Sequence, residues 1–114
     1  AGWPSPAEEE LLDTMTLDEY LIENRDATYM LQVQGPSMKD AGIMDGDTVL
    51  VERTTNYKVG DIVVAEVDGE WTIKYLRKDR TGFYLEPANR DYSPLHPTSH
   101  LNVAAVVKAV IRKY

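Results

Sequence analysis

Asp61-Ile62-Val63-Val64-Ala65-Glu66-Val67-Asp68-Gly69-Glu70-Trp71-Thr72-Ile73-Lys74-Tyr75-Leu76-Arg77 reads as two strands folded back on each other. Val59-Gly60 opens the first, Asp61 to Val67, and Asp68-Gly69 closes it with two residue types that tolerate the positive φ of a type I′ hairpin turn. The second strand then runs from Trp71 to Arg77, with Trp71, Ile73 and Tyr75 on one face and Thr72, Lys74 and Leu76 on the other. A two-residue connection forces antiparallel pairing, so this segment alone predicts a β domain.

The flanking sequence extends the pattern in both directions. Gly82 to Leu85 is a fifth strand, and Pro87, Pro94 and Pro97 punctuate a loop. Leu101 to Ile111 is a last, long strand, apolar on both faces over Val103 to Val107 and so expected to be buried on both. Upstream, Thr48 to Glu52 follows the turn-forming Asp45-Gly46-Asp47. From Thr28, Tyr29, Leu31 and Val33 alternate with Met30, Gln32 and Gln34 until Gly35 breaks the strand. Thr16 and Glu19 have capping-box spacing, and Leu17, Tyr20 and Leu21 recur at helical intervals, which predicts a short helix to about Asn24 covering a sheet. Residues 1–10 carry two prolines, a glycine and the run Glu8-Glu9-Glu10, and are expected to form an extended arm. The division is therefore an arm, 1–10, and one domain, 11–114.

A chain of 114 residues fits one domain. Twelve Lys and Arg against nineteen Asp and Glu give a net charge of -7, which repels a phosphate backbone and argues against nucleic-acid binding by this segment. No cysteine is present, which excludes a disulfide framework and a thiolate metal site and fits a cytoplasmic location. No apolar run approaches a membrane span and no signal-peptide pattern is present, so a soluble domain without membrane contact is expected. An opening at Ala1 rather than Met is what a processed product or a trimmed form of something longer would show.

Three groups of residues carry candidate chemistry. Ser37, in Gly35-Pro36-Ser37-Met38, stands where a strand gives way to a turn; it is either a turn former or a nucleophile projecting into a cleft. Lys74, in mid-strand, is either a solvated edge lysine or a buried amine whose pKa desolvation pulls toward neutrality, leaving a base able to take a serine proton. The alternative bases, His96 and His100, lie in a Pro/Ser/Thr loop with no carboxylate at fixed spacing and read as surface residues. Asp45-Gly46-Asp47 lacks the further oxygen ligands of a calcium loop and reads as a turn, while Glu8 to Glu10, Asp13, Asp18 and Glu23 read as solvated charge. No metal or cofactor is expected.

Gly35-Pro36-Ser37-Met38-Lys39-Asp40 with Gly42-Ile43-Met44-Asp45-Gly46-Asp47 resembles the nucleophile segment of the LexA/UmuD family of self-cleaving SOS-response proteins. Asp68-Gly69-Glu70-Trp71-Thr72-Ile73-Lys74 resembles its lysine strand, and the 37-residue separation of Ser37 and Lys74 matches the family pattern. Ala1-Gly2 resembles the scissile dipeptide, Trp3-Pro4-Ser5-Pro6 and Asp26-Ala27-Thr28-Tyr29 look like UmuD, and Pro87-Ala88-Asn89 and Tyr92-Ser93-Pro94 continue the likeness over nearly the whole chain.

The resemblance implies a mostly β fold of the LexA/signal-peptidase type with a short N-terminal helix and an extended arm. It implies a Ser37-Lys74 dyad that cuts Ala1-Gly2 in cis, with the Ser37 backbone N–H as an oxyanion donor. One departure is Pro36, which has no N–H to offer where family members usually have a second donor. Implied partners are a second copy of the chain, with Leu101 to Ile111 contributing to the contact, and the RecA filament on single-stranded DNA. A LexA-like repressor would reach DNA only through an N-terminal domain upstream of this sequence. A UmuD-like subunit would instead bind a translesion polymerase after trimming. A third possibility, a signal-peptidase-like enzyme acting in trans, is disfavoured by the lack of a membrane anchor.

Overall fold

The computed structural model describes residues 14–114. Its core is one six-stranded antiparallel sheet of β1 (Thr28–Gln32), β2 (Thr48–Arg53), β3 (Ile62–Val67), β4 (Glu70–Asp79), β5 (Gly82–Glu86) and β6 (Leu101–Ile111), in the order β1-β2-β6-β3-β4-β5. The hairpin expected at Asp68-Gly69 is present, with φ of 48° and 90° at the two turn residues and Ile62 to Val67 paired against Tyr75 to Glu70. The fold is mostly β, as expected, and the strand boundaries depart from the sequence reading by two residues at most. The arm at 1–10 lies outside the described residues.

Period-two patterning places two apolar clusters on opposite faces of the sheet. Along β3, Val63, Ala65 and Val67 join Leu76, Leu85 and Val106 in one cluster, while Ile62 and Val64 pack against the other, formed by Val33, Met38, Ile43, Val49, Val51 and Ala105. The adjacent residues Ala105 and Val106 thus enter different clusters, which is the two-sided burial expected of this strand. β6 lies inside the sheet between β2 and β3, and its pairing shifts by one residue against each neighbour. Each shift is a β-bulge, which locally bends the strand and resets which residues face which side.

The helix departs from expectation. α1 spans only Leu17–Leu21, and its Thr16 cap is formed, Glu19 N–H donating to Thr16 Oγ1 at 3.1 Å. None of its residues is buried: Leu17 is 74% and Tyr20 72% exposed, so it does not cover the sheet. A segment this short cannot lay a full apolar stripe on a neighbour, and a bend and the 3-10 turn Arg25–Ala27 then lead into β1. β1 is an edge strand whose Tyr29, Met30 and Leu31 remain exposed despite their alternation.

Candidate active site

Ser37 stands on an excursion of the β1-β2 hairpin. Val33 N–H donates to Asp47 O and Gly46 N–H to Val33 O, both at 2.8 Å, so residues 34–46 bulge out between paired backbones. Met38 and Ile43, almost completely buried, anchor the excursion in the first apolar cluster. Gly35, with φ 83°, turns the chain out of the strand, and its N–H is held by Asp45 Oδ1 at 2.7 Å. Asp45-Gly46-Asp47 is the expected turn. Its second carboxylate is engaged by Arg112, at 2.7 Å from both Nε and Nη2, which with the Met44 N–H holds the Asp47 pKa down at about 2.

Lys74 occupies the interior of the sheet, since β4 is flanked by β3 and β5, and it is only 8% exposed. The edge reading of this residue is thereby excluded. Burial pushes its pKa below the ordinary lysine value, because the ammonium is the form that loses hydration. Its Nζ donates a short hydrogen bond to Thr72 Oγ1, two residues back on the same face.

Ser37 and Lys74 line the same cleft, of about 350 Å³, with 31–34 and Met38 on one side and Val64 with Trp71, Thr72 and Ile73 on the other. Residues 37 apart in sequence are thus brought to one concavity, although Lys74 hydrogen-bonds to Thr72 rather than to Ser37. Ala1 and Gly2 lie outside the described residues. His96 and His100 are exposed and do not line this cleft. Each does have a carboxylate that spacing could not disclose: His96 meets Asp79 at 3.3 Å and stacks on Tyr84, and His100 meets Glu66 at 3.2 Å. A second hollow of similar size, about 390 Å³, is lined by Tyr20, Glu23, Thr28, Glu52 and Lys108 among others, and neither Ser37 nor Lys74 reaches it.

Three participants escaped the sequence reading. Trp71, 59% exposed, and Leu31 supply apolar surface at the mouth of the cleft, and Thr72 is the partner of the amine. The i, i+2 spacing of Thr72 and Lys74 in a strand was a usable signal for that contact, since such residues share a face.

The Peptidase S24-like family profile matches residues 1–110. The chain belongs to the Peptidase S24-like family. Among relatives in this family, the LexA repressor of Acetivibrio thermocellus is 39% identical over 113 residues, covering 99% of this chain and 53% of that protein. The LexA repressor of Bifidobacterium adolescentis is 42% identical over 113 residues, covering 43% of that protein. Protein SamA of Salmonella typhimurium is 40% identical over 114 residues, covering 79% of that protein. The chain therefore spans about half the length of the LexA repressors it matches and most of SamA.

Proposed function

We propose that this S24-family chain is a self-cleaving serine peptidase domain of a LexA-like SOS-response repressor, with Ser37 as nucleophile and Lys74 as general base. The observation that carries the reading is a desolvated amine lining the same cleft as a serine held on a pinned turn. Neutral Lys74 accepts the Ser37 Oγ proton as Oγ attacks the carbonyl carbon of Ala1. The ammonium then returns a proton to the leaving amine of Gly2, and water releases the acyl group from Ser37. A neutral amine that donates to Thr72 keeps its lone pair for this task. Because the hydrogen bond of Lys74 is to Thr72, proton transfer requires a shift of Nζ or of Ser37, the step we assign to docking of the arm and to its stimulation by the RecA filament. Tethering supplies the effective concentration that a free peptide substrate would lack.

In this reading the domain dimerises, is cytoplasmic, and reaches DNA through a separate N-terminal domain. A second reading, a UmuD-like subunit that binds a translesion polymerase after trimming, is favoured by the 79% coverage of SamA. The upstream coding sequence separates the two: a helix-turn-helix region means repressor, and a short arm means polymerase subunit.

The test is an intact-mass time course of a version extended upstream of Ala1. Self-cleavage between Ala1 and Gly2 should accelerate from about pH 7 to about pH 10 as the neutral fraction of Lys74 grows. Ser37→Ala and Lys74→Ala should each abolish it. Equal cutting by the parent and by Ser37→Ala overturns the dyad.

A further inference from the structure

The segment following β5 is built against the back of the Ser37 turn. Asp40 N–H donates to Ala88 O at 2.8 Å, and Ala88 N–H donates to Ser37 O at 2.9 Å. Next to this pairing, Asn89 is only 6% exposed, and its Nδ2 donates to Pro36 O at 2.9 Å. The orientation of that amide is determined by its other end. Asn89 Oδ1 accepts the Asp91 N–H at 2.9 Å, which leaves Nδ2 as the atom facing Pro36. Tyr92 N–H on Asn89 O, at 3.0 Å, closes the turn that holds the side chain in place.

The carbonyl that Asn89 grips belongs to the same peptide unit as the Ser37 N–H. In a planar trans peptide the C=O and N–H point in opposite directions, so fixing the oxygen fixes the direction of the hydrogen. A hydrogen bond accepted at the oxygen also polarises the amide and strengthens its N–H as a donor. Among the described residues the Ser37 N–H makes no hydrogen bond of its own. With proline at position 36 the residue before Ser37 has no N–H to share an oxyanion, so the quality of the Ser37 donor matters more than in a site where both contribute.

We propose that Asn89 is a positioning residue for catalysis, which aims and polarises the Pro36-Ser37 peptide so that its N–H stabilises the oxyanion formed on the scissile carbonyl. The proposal rests on the Ser37-Lys74 reading above and adds to it a residue that touches neither substrate nor base.

The experiment compares Asn89→Asp and Asn89→Ala with the parent in the upstream-extended chain, reading the self-cleavage rate from about pH 7 to about pH 10 together with thermal melting. Asn89→Asp keeps an oxygen for the Asp91 N–H but turns the donor to Pro36 into a charged acceptor, whereas Asn89→Ala removes the donor without adding charge. Losing a whole oxyanion donor costs about 100- to 1000-fold, so misaiming one should lower the rate about 10- to 100-fold in both variants. The midpoint of the pH-rate curve should stay at the parent value in Asn89→Ala, which leaves Lys74 and the local charge untouched, and both variants should melt cooperatively. Rates within about twofold of the parent overturn the proposal. So does a fall accompanied by a displaced midpoint in Asn89→Ala, which would mean an effect through the base, or a loss of the folded state in both variants, which would mean a purely structural role. Ser37→Ala separates the two levels. Cleavage that depends on Ser37 but ignores Asn89 removes the proposal alone, whereas cleavage indifferent to Ser37, or a parent that does not cut at all, removes the dyad and the proposal with it.

Discussion

At residue scale, Lys74 combines two properties that oppose each other. Its amine is useful because it is buried, and burial makes it a poor contributor to stability as long as it is protonated. The folded-state pKa lies below the unfolded value, so between the two the unfolded chain binds more protons and stability rises with pH. Lys74→Met should therefore abolish self-cleavage and raise the melting temperature at neutral pH, with the gain shrinking as pH approaches the unfolded lysine value of about 10.4. Lys74→Arg should be as inactive as Lys74→Ala, because a guanidinium stays protonated. Paired melting curves of parent and Lys74→Met at two pH values check the first outcome, and intact mass checks the second.

At the scale of elements, turns and ties hold the site in register. Gly69 adopts φ 90° in the β3-β4 hairpin, and a Cβ there would meet nothing within 4 Å, so substitution acts through the backbone alone. Gly69→Ala should cost about 1 kcal/mol or more, measured by denaturant unfolding. Asp68 beside it accepts from the backbone N–H groups of Thr98, Ser99 and His100, tying the proline-rich loop to this hairpin and holding its own pKa down at about 2. Asp47 plays the corresponding role at the other end of the sheet, where Arg112 beyond β6 also donates to Gly42 O at 3.0 Å within the Ser37 excursion. Both carboxylates have folded pKa values of about 2, below the ordinary aspartate value of 3.8. Their stabilising contribution is complete above the unfolded pKa and is lost as pH falls through the folded one. Arg112→Met should lower the melting temperature by several degrees at neutral pH, and the difference from the parent should vanish in strong acid below about pH 2.

For the whole molecule, two apolar clusters on either side of one sheet carry the cohesion, and the -7 charge shapes encounters. Leu76 is fully buried at the centre of the second cluster, so Leu76→Ala should cost about 2–5 kcal/mol in urea unfolding. Leu17→Ala, on the exposed helix, should stay within about 0.5 kcal/mol. The acidic balance predicts that this chain by itself fails to shift a labelled DNA duplex even at low salt, checked by fluorescence anisotropy.

Local rules and residue pairs of fixed spacing made much of this protein legible as sequence. Asp68-Gly69 specified a hairpin because few residue types tolerate positive φ, period-two alternation marked the strands, and Ser37 with Lys74 stood out by motif and interval. Apolar alternation could not tell the edge strand β1 from an inner one, because whether a strand has one neighbour or two depends on residues far away in the chain. Nor could composition reveal that α1 would lie exposed. What only the tertiary structure decided was contact between distant groups: Asn89 on Pro36, Arg112 on Asp47, and a lysine made dry by flanking strands. Short-range conformational preference is written in neighbouring side chains, whereas desolvation and long-range hydrogen bonding exist only once the sheet has closed around them.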